Sequence, residues 1–246
     1  MPSVIPSSLQ IFLLVVLVSR SQTEGRPITS LAANCAELYK AGNTSSGVYT
    51  IDPDGLGAFE VYCDQSSAGG GWTVIQRRLD GSINFNRSWC NYRRGFGNLS
   101  DEFWLGLDKI NRLTWRTKNT LRVDLEFNLT QGIQRPYAEY DLFVVESETK
   151  DYALTIGALS RGNAGDSFDH NNKARFLTRD KDEHEDQCAK KFGAWWYPKV
   201  HCGNSNLNGE FQLKDGLRWW QWSQHTPEMK YSVTKADMKI KPDCTE

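Results

Sequence analysis

Six cysteines, at positions 35, 63, 90, 188, 202 and 244, constrain what this 246-residue chain can fold into more than any other feature. Their meaning depends on compartment, and the N-terminus speaks to that. Residues 9–18 are almost entirely apolar and lead into Ser19-Arg20-Ser21, with small residues placed for cleavage after Ser21. A run of about ten such residues is too short to span a bilayer and has the form of a secretory leader. Residues 1–21 therefore read as a signal peptide, 22–34 as a short linker and 35–246 as the folded domain, secreted and extracellular. No second apolar run reaches the roughly 18 residues of a membrane span, so none is expected in the mature chain. In an oxidising compartment an even set of cysteines reads as disulfides, and no Cys-x-x-Cys pair suggests zinc instead. Spacing alone does not choose among the pairings. Sequons at Asn43, Asn86, Asn98 and Asn128 agree with secretion and are expected on the surface as glycosylation sites.

The most chemically pointed segment follows Arg179. Asp180, Asp182, Glu183, Glu185 and Asp186 place five acids within seven residues, directly before Cys188. Like charges this close repel, and such a run is ordinarily solvated. Here it opens a cysteine-bounded loop of aromatics and amides, which favours a hard-cation site. Calcium takes about six to eight oxygen ligands from carboxylates, carbonyls and water. The expected protein ligands are the carboxylates of Asp180 and Asp182 and the main-chain carbonyls of His184 and Asp186. The loop is not an EF-hand, which would need glycine where Glu185 stands and a bidentate glutamate where Lys191 stands. The competing reading is a solvated acidic loop without metal.

The length suits one large domain or two small ones. Aromatic residues make up 12% of the chain, nine of them tryptophan, which supplies ample core area. The 29 basic and 30 acidic residues nearly cancel, so nothing points to nucleic acid. Turn signals such as Asp52-Pro53-Asp54-Gly55 and Gly69-Gly70-Gly71 alternate with β-prone runs at 47–51, 73–77 and 121–127. Residues 101–113 have helical apolar spacing, opened by a Ser100 or Asp101 cap. The mixture indicates an α+β fold. Trp72, Trp89, Trp104 and Trp115 read as core. Trp195, Trp196, Trp219, Trp220 and Trp222 crowd the C-terminal part, where aromatic faces beside amides suit either packing or a sugar. Histidines 170, 184, 201 and 225 stand in no catalytic motif, and no phosphate loop is present. The chain reads as a binder and not an enzyme.

An ordered series of motifs carries a resemblance. It includes Cys35-Ala36-Glu37-Leu38-Tyr39, Gly69-Gly70-Gly71-Trp72-Thr73-Val74-Ile75-Gln76-Arg77-Arg78, Glu102-Phe103-Trp104-Leu105-Gly106-Leu107-Asp108, Gly193-Ala194-Trp195-Trp196-Tyr197, Ser205-Asn206-Leu207-Asn208-Gly209 and Met238-Lys239-Ile240-Lys241-Pro242. From Cys35 to Pro242 the chain resembles the fibrinogen C-terminal (fibrinogen-related) domain family. The resemblance implies a small disulfide-bonded N-terminal part, a central antiparallel sheet with short helices, and a loop-rich C-terminal part that binds calcium and ligand. It also implies the disulfides Cys35–Cys63 and Cys188–Cys202. Cys90 and Cys244 lie outside the family set; an intrachain bridge between them is favoured over an interchain link.

The departures bear on function. Lectin-like relatives, the ficolins and tachylectins, carry Cys-His where this chain has Cys202-Gly203, with a histidine instead at His201. The Ser-Tyr-Ala segment of the lectin acetyl pocket is replaced by residues 212–217, and Cys-Gly resembles angiopoietin-like relatives, which bind protein receptors. The expected ligand surface is Tyr197, His201, Gly203, Asn204 and Trp220, with His201 standing in for the missing donor. The expected function is a calcium-binding, lectin-like protein of innate immunity that takes glycans, glycoproteins or acetylated groups. The alternative is a protein-binding ligand, matrix component or clotting-type factor. A homo-oligomer through the domain or a free cysteine is compatible with either.

Overall fold

The computed structural model describes residues 31–211, 213, 216–223 and 233–243. The expected leader, Cys244 and half of the altered 212–217 segment lie outside them. The helices are α1 (Cys35–Lys40), α2 (Trp89–Arg94), α3 (Leu107–Trp115), α4 (Cys188–Phe192) and α5 (Trp220–Ser223). The strands begin with β1 (Gly47–Ile51), β2 (Phe59–Asp64), β3 (Trp72–Arg78), β4 (Phe96–Gly97), β5 (Phe103–Trp104) and β6 (Asn119–Leu129). They continue with β7 (Gly132–Gln134), β8 (Tyr137–Tyr140), β9 (Phe143–Val145), β10 (Leu154–Ile156) and β11 (Leu159–Gly162). The C-terminal part adds β12 (Arg175–Leu177), β13 (Trp195–Tyr197), β14 (Ser205–Asn206), β15 (Arg218–Trp219) and β16 (Lys235–Pro242). The α+β expectation holds, as do the strands expected at 47–51, 73–77 and 121–127. Among the described residues no helix is long and apolar enough to cross a membrane.

The main sheet runs β1-β2-β3-β16-β6-β8-β11 and its neighbours are antiparallel. β6 shows why: Asn119, Leu121, Val123, Leu125 and Phe127 are buried on one face, and the residues between them are only half-buried. A two-residue period of this kind is the pleat of a sheet with one covered face. β3 is buried along its whole length. Its polar side chains must therefore find partners inside, and Arg77 donates through Nε to Asp237 at 3.0 Å. Beside it, the buried Lys239 ammonium lies 2.8 Å from Asp64 and 2.6 Å from Asp124.

Two disulfides tie the sheet to its surroundings. Cys35–Cys63 joins α1 to β2, and Cys188–Cys202 closes the loop that contains α4 and β13. Both match the pairs the resemblance implied. Residues 31–34, expected as linker, are bonded into the domain: Ala32 accepts from the Asp52 N–H, and the Asn34 side chain accepts from Glu37 N at 3.0 Å to cap α1. Cys90 is exposed and is a free cysteine. The expected bridge to Cys244 is thus not formed at Cys90, and Cys244 lies outside the described residues.

The helix expected over 101–113 starts later. Glu102 is buried, and its two carboxylate oxygens accept the main-chain N–H groups of Leu79, Asp80, Gly81 and Ile83 at 2.8–3.1 Å. Phe103 and Trp104 pair with β3 as β5. These tertiary bonds outbid the local helical pattern, so α3 begins at Leu107. Gly106 makes that junction: its φ is +109°, and a Cβ there would stand 2.6 Å from the Arg94 carbonyl oxygen. Only glycine fits such a close backbone approach at positive φ. Trp115, expected in the core, is 63% exposed at the end of α3.

Candidate functional site

Residues 178–187 link β12 to α4 and carry the acidic run. The loop is pinned at its first acid. Asp180 accepts from the Trp89 N–H at 3.0 Å and from the Thr178 hydroxyl at 2.7 Å, so it holds the first residue of α2. Trp89 in turn donates through Nε1 to Glu148, and the Lys181 ammonium stands 3.8 Å from its ring centroid. Asp182 is fixed at both oxygens, by His184 N at 3.1 Å and Lys190 N at 3.0 Å. The neighbouring cations are already paired: Lys181 with Asp151, and Arg175 with Asp151 and Glu183. Five acids therefore survive in one short loop because main-chain N–H groups and basic side chains offset part of their repulsion.

His184 completes the loop from the other side. Its Nδ1 accepts from Asp186 N at 3.1 Å, which places the ring proton on Nε2, 2.6 Å from the Pro198 carbonyl oxygen. The side chains of His184, Asp186 and Cys188 gather within 4.8 Å of one another. Cys188 is in a disulfide, however, so that group offers no thiolate and is not a soft-metal site. The donors that remain are hard oxygens. Asp180 and Asp182, each positioned by a main-chain N–H and each with lone pairs to spare, fit calcium by donor type. The His184 carbonyl already accepts from Gln187 N at 2.9 Å and would share that bond.

The expected ligand surface is assembled only in part. His201, Asn204 and Trp220 are brought together: Trp220 N donates to the Asn204 carbonyl at 2.9 Å, Asn204 Nδ2 to Asp169 at 3.2 Å, and the His170 ring meets the His201 ring edge-on at 5.2 Å. Trp220 is 41% exposed. His201 has a φ of +63°, and its Nδ1 accepts from Gly203 N at 3.0 Å, so the imidazole folds back over the glycine that replaced the lectin histidine. Tyr197 must be struck from the surface. It is buried in β13, its hydroxyl donates to the Gly193 carbonyl and accepts from Asn206 Nδ2, and burial pushes its phenol well above the ordinary range. Trp195, Trp196 and Trp219 are buried as well. They form an aromatic cluster with Phe168, Phe176 and Trp104, in which ring centroids lie 5.1–6.0 Å apart.

Sequence reasoning missed a concavity. A cleft of about 770 Å³ opens between residues 81–86 and α4 with the strand-loop that follows Asn208. Arg78, Lys190, Lys191 and Asn208 line it with Phe85 and Phe192. The signal in the sequence was the Lys190-Lys191 pair, standing directly after an acidic run and a cysteine.

The match to known proteins is broad. The model of the family described as fibrinogen beta and gamma chains, C-terminal globular domain, matches residues 31–243. Mouse tenascin-R is 40% identical over 234 residues, covering 92% of this chain but 16% of tenascin-R, so the chain spans only a fraction of that relative. The fibrinogen-like globe domain of human ANGPTL2 is 38% identical with a TM-score of 0.77, covering 86% of this chain and 99% of that one. A lamprey fibrin D-dimer, complexed with the peptide ligand Gly-His-Arg-Pro-amide, is 31% identical with a TM-score of 0.78, over 89% of this chain and 76% of that one.

Proposed function

This chain belongs to the fibrinogen C-terminal globular domain family, and from that premise we propose that it is an extracellular, calcium-steadied recognition domain. Its ligands in this reading are glycans, acetylated sugars among them, on microbial or cell surfaces, as suits a secreted lectin of innate immunity. The observation that carries the reading is the build of the C-terminal part. A disulfide and a buried aromatic cluster hold a loop-rich part that carries the polar and aromatic groups His201, Asn204 and Trp220, and it also contributes Lys190, Phe192 and Asn208 to a cleft. Rigid loops with an apolar floor and a few placed polar groups are the usual form of a small-ligand site. Two disulfides and four exposed sequon asparagines support an extracellular setting.

Asp180 and Asp182, with the carbonyls of His184 and Asp186, would hold the calcium. The ion supplies positive charge that offsets the acidic run. The chain's own part is to keep Asp182 tied to the first turns of α4, so the order of the loop passes to the cleft wall. A glycan array read with and without EDTA tests the reading: binding that EDTA abolishes supports it, and a blank array refutes it. The second reading is a protein ligand. It is favoured by the lamprey fibrin relative, which takes a peptide, and capture of one protein partner with a blank array would select it.

A further inference from the structure

We propose that the cleft between residues 81–86 and α4 binds the anionic group, carboxylate or sulfate, of an acidic saccharide; this rests on the glycan-binding reading above. The first observation is charge. Arg78, Lys190 and Lys191 line the cleft against Glu210 as the single acid among the lining residues. Arg78 has a buried counter-charge in Glu102 at 3.7 Å, but Glu102 is already committed to four main-chain N–H groups. Lys190 and Lys191 are exposed, and among the described residues neither ammonium is in an ion pair. A concave wall with one sign of charge focuses its field on a ligand of the opposite sign.

The second observation is independent of net charge. Asn208 is 1% exposed, and among the described residues its Nδ2 has no hydrogen-bond partner. The orientation of that amide is fixed by its neighbour. Gln76 Nε2 donates both to the Leu207 carbonyl at 2.7 Å and to Asn208 Oδ1 at 3.2 Å, so the Asn208 oxygen faces β3 and its NH2 group is the end left to the cleft. Arg78 adds no free donor: its Nη1 is satisfied by the carbonyls of Leu207 and Gly209, and its Nε faces Glu102 at 3.7 Å. Buried donors are almost always paired in folded proteins, and an unpaired one on a cleft wall marks a place for an acceptor oxygen. Phe192 and Phe211, both partly exposed, and the amides of Asn84 and Asn86 supply the apolar faces and hydrogen bonds that a sugar ring uses.

The test is a titration of the full-length protein with 3′-sialyllactose, a sulfated N-acetyllactosamine and their neutral parents. Each is measured at low and at high salt. The acidic sugars should bind about tenfold or more tightly than the neutral ones, as expected for charge-assisted hydrogen bonds, and the advantage should shrink with added salt. The sialylated and sulfated arms separate the two sources of the anion. The double variant Lys190→Glu/Lys191→Glu should lose that advantage, with an unchanged melting temperature, while Lys199→Glu outside the cleft should keep it. Equal binding of acidic and neutral sugars, or full affinity in the double variant, overturns the proposal and leaves the glycan reading standing. No sugar binding at all sinks both, and binding of acidic peptides alone transfers the site to a protein ligand.

Discussion

Lys239 is a residue whose loss the fold should absorb poorly. It sits between Asp64 and Asp124 in the middle of the sheet, at 1% exposure. Replacing one partner of a buried ion pair leaves an uncompensated charge, so Lys239→Met should cost about 3–5 kcal/mol in urea denaturation at neutral pH. Burial alone would raise the Asp64 carboxyl, but hydrogen bonds from Lys239 and Ser67 outweigh it and hold the group well below the usual carboxylate range. Glu102 is likewise held low, burial being outweighed by main-chain N–H groups. A carboxylate with a depressed folded pKa stabilises fully above its unfolded value, about 4, and that stability is lost as pH falls through the folded value. The urea midpoint should therefore stay level from about pH 7 to 5 and drop below about pH 4, and Lys239→Met should lose less on acidification. An acid limb that is identical in the variant would show that other groups set it. At this scale residue type was legible and role was not. Tyr197 and Trp195 carry the chemistry of a sugar platform, yet β13 turns them inward, and nothing local announces that Glu102 will serve a turn some twenty residues earlier in the chain.

Among the elements, the acidic loop and α4 act as one piece, because Asp182 bonds α4 and Cys188 begins it. Millimolar calcium should raise the melting temperature by mass action, and Asp182→Ala should remove the shift. A calorimetric trace that ignores calcium would leave the loop metal-free. Cutting the covalent tie with Cys188→Ala/Cys202→Ala frees a loop of sequence separation 14. That should cost about 3 kcal/mol in the chain-entropy model, and it should weaken the calcium response as well. A double variant as stable as the parent would show that the aromatic cluster alone holds the loop. The strands were readable because β6 alternates and turn residues bound β1. Residues 101–113 were misplaced because a helical period was followed through Phe103 and Trp104, which β3 recruits instead. The cleft left only a faint mark, since its walls come from residues 78–86, 190–193 and 208–211, brought together by the fold and far apart in the text.

For the whole molecule, the family and the disulfides Cys35–Cys63 and Cys188–Cys202 were legible from the ordered motifs, while the state of Cys90 was not. An exposed thiol on a protein in an oxidising setting is open to intermolecular pairing. A dimer band on non-reducing gels that vanishes in Cys90→Ser is the expected result, and a dimer that persists would place the contact elsewhere. One topological fact reaches beyond the folded state. β16 lies between β3 and β6, at the centre of the sheet, although it is the last of the described elements in chain order. Residues 72–78 and 119–129 must wait for residues 235–242 before their facing edges are covered. A polypeptide emerging from the ribosome in sequence therefore holds these two strand edges unpaired until residues 235–242 are made, and long-range pairing of this kind is slow and prone to aggregation. The Cys35–Cys63 bridge, formed among early residues, can precede that closure. A nascent chain arrested before residue 235 should stay protease-sensitive with that bridge already made, and release of the final strand should convert it in one step to the resistant state.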